Sequence, residues 1–240
     1  MWLARALQSQ GLGSRKGCVL LVRSGAVAVN GVVCDDPEAE VDPEGLELTV
    51  NGVTWPYHQK AYVLMHKPAG YECSHNPKHH PSVFSLLPSP LLERGVQCVG
   101  RLDQDTTGLL LFSDDGQFIH RMTSPKKGVA KIYRAVCADP VTEAMLDALR
   151  SGVHLNDEPA PIAALACEVI DSHTLRLTLA EGKYHQVKRM LAATGNRVDS
   201  LHREAIGDYV LPATLAPGAW RWLDAADLVR LEQPWPSATS

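Results

Sequence analysis

The sequence predicts an α+β protein, with a small N-terminal domain and a larger domain built on a mostly antiparallel mixed sheet. Three observations carry this expectation. Residues 1–53 read as helix, helix, hairpin and strand. From Ala61 onward strands and helices follow one another without a regular βαβ rhythm. Gly, Asn-Gly and Asp-Gly punctuate the elements where turns are needed.

The elements follow in order. Leu3, Ala6 and Leu7 have helical spacing, and Gly11 and Gly13 end that segment. Ser14 stands at an N-cap before RKGCVLLVR, which Gly25 closes. AVAVNGVVC reads as two short strands joined by the turn Asn30-Gly31, and GLELTVNG adds a strand. TWPYHQK reads as a linker, 54–60, ahead of a domain over 61–232 and a tail over 233–240. In that domain AYVLMHK, QCVGRLD, GLLLFSDDG, AKIYRAVCA, HTLRLTLAEG and RVDSLHREAIG read as strands. Leu175, Leu177 and Leu179 share one strand face. QFIHRMTS, a segment capped by Asp139 with Pro140 at its first position, KYHQVKRMLAATGN and a segment capped by Asp224 read as helices.

Hydrophobic content of 45% with 21% charge in 240 residues supports a buried core and argues against disorder. No run of eighteen apolar residues spans a membrane. The N-terminus lacks the apolar block of a secretory signal, so a cytoplasmic protein is expected. The six cysteines lie at least sixteen residues apart, which fits free thiols in a reducing compartment. Net charge is −4, but it is unevenly spread. Residues 1–34 hold four bases (Arg5, Arg15, Lys16, Arg23) and no acid, and residues 35–47 hold seven acids and no base. Two more basic clusters are Lys126, Lys127, Lys131 and Arg134, and Lys183, Lys188 and Arg189. Small charge runs are usually solvated faces, so these raise the expectation of a nucleic-acid partner only modestly.

The stretch GRLDQDTTGLLLFSDDG holds Asp103, Asp105, Asp114 and Asp115. Asp114 and Asp115 precede Gly116 after an apolar strand, which is turn chemistry. Asp105 suits an orienting role in the loop. Asp103 follows a strand in a loop, a common place for a working group, and local sequence leaves it open between function and turn. The LLLF run spans roughly 13 Å and separates the two pairs, so no metal site is expected. His75, His79 and His80 read as a polar loop.

Together these residues resemble the RNA pseudouridine synthases of the RsuA/RluB branch. GRLDQDTTGLLLFSDDG is similar to the family signature. MHKPAGYECS, KIYRA and EGKYHQVKRMLAATGN resemble three further family motifs. The N-terminal unit, with GSRKG and GAVAVNGVVC, resembles an S4-type RNA-binding domain. The likeness covers residues 1–232. It departs at the start, where Trp2, Leu3, Ala4 and Arg5 stand in place of a basic-acidic opening.

The resemblance implies an isomerase that breaks the uridine C1′–N1 bond, turns the uracil and rejoins it through C5, with no cofactor. It implies Asp103 as nucleophile, Lys188 as its basic partner and Tyr133 stacked on the uracil. Leu102 and Val187 would line the base site, and Arg101 would hold the displaced position or contact phosphate. Arg15, Lys16, Arg23, Lys126, Lys127, Lys183 and Arg189 are the expected RNA contacts. Within the branch the wording resembles the small-subunit members, implying a monomer that modifies 16S rRNA, alone or in an assembly intermediate, at uridine 516 in standard numbering. A 23S rRNA target and a non-catalytic RNA-binding or assembly protein are the alternatives.

Overall fold

The computed structural model describes residues 1–233, so most of the segment read as a tail lies outside the described residues. The chain divides into two compact units. The smaller comprises residues 1–61, 87–97 and 113–115, and the larger comprises 62–86, 98–112 and the chain from 116 onward.

In the smaller unit, α1 (Leu3–Ser9) and α2 (Arg15–Arg23) lie against a four-stranded sheet. Its strands are β1 (Val27–Val29), β2 (Val32–Val33), β3 (Glu47–Val50) and β4 (Val53–Pro56), in the order β2-β1-β3-β4. Ser14 accepts a hydrogen bond from the Gly17 N–H, as its N-cap position requires. Asn30 and Gly31 both have positive φ, the conformation a two-residue hairpin turn needs. Leu3, Leu7, Val22 and Leu48 are fully buried in one cluster. The structure corrects the linker expectation for Thr54–Pro56. These residues pair with β3, and Trp55 is buried beside Leu48. Asp114 also does more than shape a turn: it accepts from Arg94 Nη2 at 2.8 Å and from the Ala61 N–H at 2.8 Å. The same unit contains α3 (Ser89–Glu93).

The larger unit is built on a nine-stranded sheet. Its elements are β5 (Tyr62–Lys67), β6 (Gln97–Cys98), β7 (Thr107–Ser113), α4 (Gly116–Thr123), β8 (Lys131–Cys137), α5 (Glu143–Ser151), β9 (Ala166–Val169) and β10 (Thr174–Leu179). They are followed by α6 (Gln186–Ala193), β11 (Val198–Ile206), β12 (Tyr209–Val210), β13 (Trp220–Trp222) and α7 (Ala225–Leu231). The main path runs β13-β5-β7-β11-β8-β10-β9. β11 lies antiparallel to β8 and parallel to β7, so the sheet is mixed. Leu175, Leu177 and Leu179 are buried as the alternation requires, and Thr174 and Thr178 on the other face are buried too.

Three boundaries differ from expectation. Thr142, not Asp139, caps α5, accepting from the Met145 N–H. α6 starts at Gln186 because His185 adopts a left-handed conformation, φ 48°. QCVGRLD forms a strand only at Gln97–Cys98, and the rest is open loop leading to Asp103. Asp224 and Asp227 cap α7 reciprocally. No helix among the described residues is long and apolar enough to cross a membrane.

Candidate active site

A pocket opens within the larger unit where the loop after β6, the face of β8 and the start of α6 meet. Asp103 sits in that loop. The loop is rigid for a reason found in β5. Lys67 is fully buried, and its ammonium donates to the carbonyls of Pro68 at 3.0 Å, Gln104 at 3.2 Å and Thr106 at 2.9 Å. Burial pulls its pKa below the ordinary lysine value. The Gly70 N–H also donates to Gln104 O, and the Thr106 N–H donates to Asp103 O. A buried cation thus holds the backbone just after Asp103 through the oxygens of Gln104 and Thr106.

The first turn of α6 supplies the charge facing Asp103. Lys188 Nζ lies 3.2 Å from Asp103 Oδ2, and His185 Nε2 lies 3.3 Å from Oδ1. Lys188 also contacts Asp105, 2.7 Å from Oδ1 and 2.9 Å from Oδ2. Burial disfavours the Lys188 charge, yet hydrogen bonding to Asp105 and the charge of Asp103 raise its pKa. Burial likewise opposes ionisation of Asp105, but the Lys188 bond and charge hold it below the usual range. The left-handed backbone at His185 turns its ring toward Asp103, and Tyr184 stacks on that ring with centroids 3.8 Å apart.

Tyr133 projects from β8 into the pocket and is largely buried. Its cross-strand partner is Arg203 on β11. Arg203 Nη1 lies 3.5 Å from the Tyr133 hydroxyl, and the guanidinium carbon lies 6.0 Å from the ring centroid. Leu102 and Val187 are buried in the lining, and Arg101 is exposed at the rim. Asp103, Tyr133, Arg101, Leu102 and Val187 therefore line one opening, and Lys188 lines a second that shares Arg101, Leu102 and Asp103 with it. The sequence left His185, Lys67 and Arg203 unassigned. Only the His185 position in YHQVKR, one turn before Lys188, hints at its place.

The basic residues separate into kinds. Lys126 and Lys127 are exposed in a short turn after α4. Lys183 pairs with Glu158 and Glu181, and Arg189 donates to the carbonyls of Asn156 and Tyr184. Lys131 is buried, not on a solvated face. In the smaller unit Arg5, Arg15 and Arg23 line a groove with Trp2, whose side chain is more than half exposed, and Lys16 is exposed nearby in sequence. The unusual opening thus buries Leu3 in the core and leaves Trp2 outside.

Residues 61–193 match the family model described as RNA pseudouridylate synthase, and residues 1–47 match the S4 domain. Ribosomal small subunit pseudouridine synthase A from Vibrio parahaemolyticus is 41% identical over 88% of this chain and 90% of the relative. The chain belongs to the RNA pseudouridylate synthase family. It is an enzyme of that activity, isomerising uridine in RNA. The protein of the same description from Escherichia coli strain K12 is 39% identical over 86% of this chain and 89% of the relative. A crystal structure of a pseudouridylate synthase superposes with a TM-score of 0.68 at 35% identity, covering 96% of this chain and 99% of that one.

Proposed function

We propose that the protein converts one uridine of 16S rRNA to pseudouridine, at position 516 in standard numbering, with Asp103 as nucleophile. The observation that carries the site assignment is the single carboxylate of Asp103 held between Lys188 and His185 at the mouth of the Tyr133 pocket. The small-subunit target rests on the relatives, which carry that description across most of both chains.

Chemistry follows from placement. A nucleophilic carboxylate must stay ionised while partly desolvated, and a cation at 3.2 Å supports this. Tyr133 offers a ring face for the extruded uracil, with Val187 on the opposite side. The base must leave its stack to enter, an opening of a few kcal/mol that contacts to RNA offset. Arg15, Lys16 and Arg23 of the S4 unit, with Lys126, Lys127, Lys183 and Arg189 in the other, supply phosphate contacts. Residues 1–53 bind RNA and residues 61–232 carry the chemistry. The enzyme acts as a cytoplasmic monomer.

The test is pseudouridine mapping on 16S rRNA, naked and bound to early assembly proteins, after incubation with the protein. One new carbodiimide-dependent stop on 16S rRNA is expected. A stop on 23S rRNA alone would move the target to the large subunit, and none on either would overturn the rRNA assignment.

A further inference from the structure

Two buried cations stand beneath the uracil site without a carboxylate bonded to either. Arg203 is 3% exposed and Lys131 is 8% exposed, and both line the pocket with Tyr133 and Asp103. Lys131 and Tyr133 are two residues apart on β8, so they share one face of the strand. Arg203 lies directly across from Tyr133 on β11.

The backbone fixes Arg203 from several sides. A register shift interrupts β11 between Arg203 and Ala205, an irregularity of the kind that re-aims a side chain near a site. Gly108 on β7 passes so close that an added Cβ would lie 2.3 Å from Arg203 O. Arg203 Nε donates to Leu109 O at 2.8 Å, while the buried Nη2 has no hydrogen-bond partner. Lys131 donates to Val129 O at 2.8 Å. Burial first, and the Arg203 charge second, push Lys131 down to about 8, while the Glu181 charge opposes the shift. The carboxylates that face this part of the pocket are Asp103 and Glu181. Neither makes an ion pair with Lys131 or Arg203 among the described residues.

Two like charges taken out of water oppose folding unless something of opposite charge completes them. The reaction itself supplies it. When C1′–N1 breaks, the bonding electron pair leaves with the base, and negative charge spreads over N1 and the two carbonyl oxygens. With Asp103 bonded to C1′ in place of N1, that charge returns to the Asp103 carboxylate when C5 bonds to C1′ and the Asp103–C1′ bond breaks; C5 then loses its proton and N1 gains one. We propose that Arg203 and Lys131 form an electrostatic floor that stabilises the detached, anionic uracil, with Arg203 Nη2 as the donor kept for it. Preorganised donors aimed at developing charge are the largest single contribution in many enzymes.

This inference rests on the site assignment above, and the test separates the two. Single-turnover rates at saturating RNA, and RNA affinities, are measured for wild type, Arg203→Gln, Arg203→Lys and Lys131→Met. Whichever rRNA the wild type converts is used, with uridine or 4-thiouridine at the target. Sulfur at C4 makes the base a better-stabilised anion and keeps the C5 proton. Expected are rate losses of about 100-fold for Arg203→Gln and Lys131→Met with affinity little changed. The losses should shrink about tenfold with 4-thiouridine, with Arg203→Lys between. Equal losses on both bases, or a loss confined to affinity as a phosphate contact would give, would overturn the inference. Lys131→Met carries the test if Arg203→Gln does not fold. A wild type inactive on both 16S and 23S rRNA would instead contradict the underlying substrate assignment.

Discussion

Lys188 Nζ lies 2.7 Å from an oxygen of Asp105 and 3.2 Å from an oxygen of Asp103, bridging the two carboxylates. The lysine is therefore shared, with the shorter contact going to the aspartate assigned no chemistry. Lys188→Met leaves Asp103 with His185 alone and should lower single-turnover pseudouridine formation by about 100-fold. Lys188→Arg keeps the charge but replaces a point contact with a fork, and should recover only part of the rate. A Lys188→Met enzyme as fast as wild type would show that the cation is dispensable.

Lys67 should matter to the loop more than its distance from the pocket suggests. Lys67→Met removes the ammonium donor from the carbonyls of Pro68 and Thr106 and leaves Gln104 O with the Gly70 N–H. A stability loss of about 2–4 kcal/mol by urea unfolding is expected, together with a larger fall in activity than in RNA affinity. Unchanged unfolding and activity would remove the lysine from its role as loop anchor.

Gly108→Ala should be severe. The new Cβ would meet Arg203 O at 2.3 Å, and φ of +107° is unfavourable for any side chain. A loss of about 3 kcal/mol or more is expected in thermal or urea unfolding. A variant as stable as wild type would show that β7 and β11 can separate freely.

Lys131 gives stability a pH dependence of definite sign. Its folded pKa is depressed to about 8, below the ordinary lysine value of about 10.4. Between those values the unfolded chain binds more protons than the folded one, so this residue makes stability rise with pH. Urea unfolding from about pH 7.5 to about pH 10 should show wild type gaining on Lys131→Met across that window. A constant difference would mean that the lysine titrates normally.

RNA binding should weaken steeply with salt through counterion release. Removing Arg15, Lys16 or Arg23 should each reduce the slope of log affinity against log salt by about one if the side chain contacts a phosphate. Filter binding over a salt series measures it. A slope unchanged in the triple substitution would take the S4 unit's bases out of the interface.

Much of this was legible in the sequence where local chemistry decides. Ser14, Asn30-Gly31 and Asp224 announce themselves because caps and tight turns depend on a few adjacent residues. The motif around Asp103 likewise marks the loop that carries it. What stayed hidden depends on partners distant in sequence. Arg203 and Tyr133 are seventy residues apart and meet only through the register of β8 and β11. Lys67 is ordinary in sequence until three backbone carbonyls close around it. Lys131 sits among bases in sequence but is drawn inward by strand alternation, and Thr54–Pro56 continue a sheet because Trp55 has a core to fill.

The central claim is that one aspartate of the pair carries the chemistry. Pseudouridine formation should be followed in single turnover on the wild type's own rRNA substrate with Asp103→Asn and Asp105→Asn side by side, after confirming that both bind RNA. No product is expected from Asp103→Asn and, from Asp105→Asn, product at a rate within about tenfold of wild type. Product from Asp103→Asn at a rate near wild type would contradict the claim.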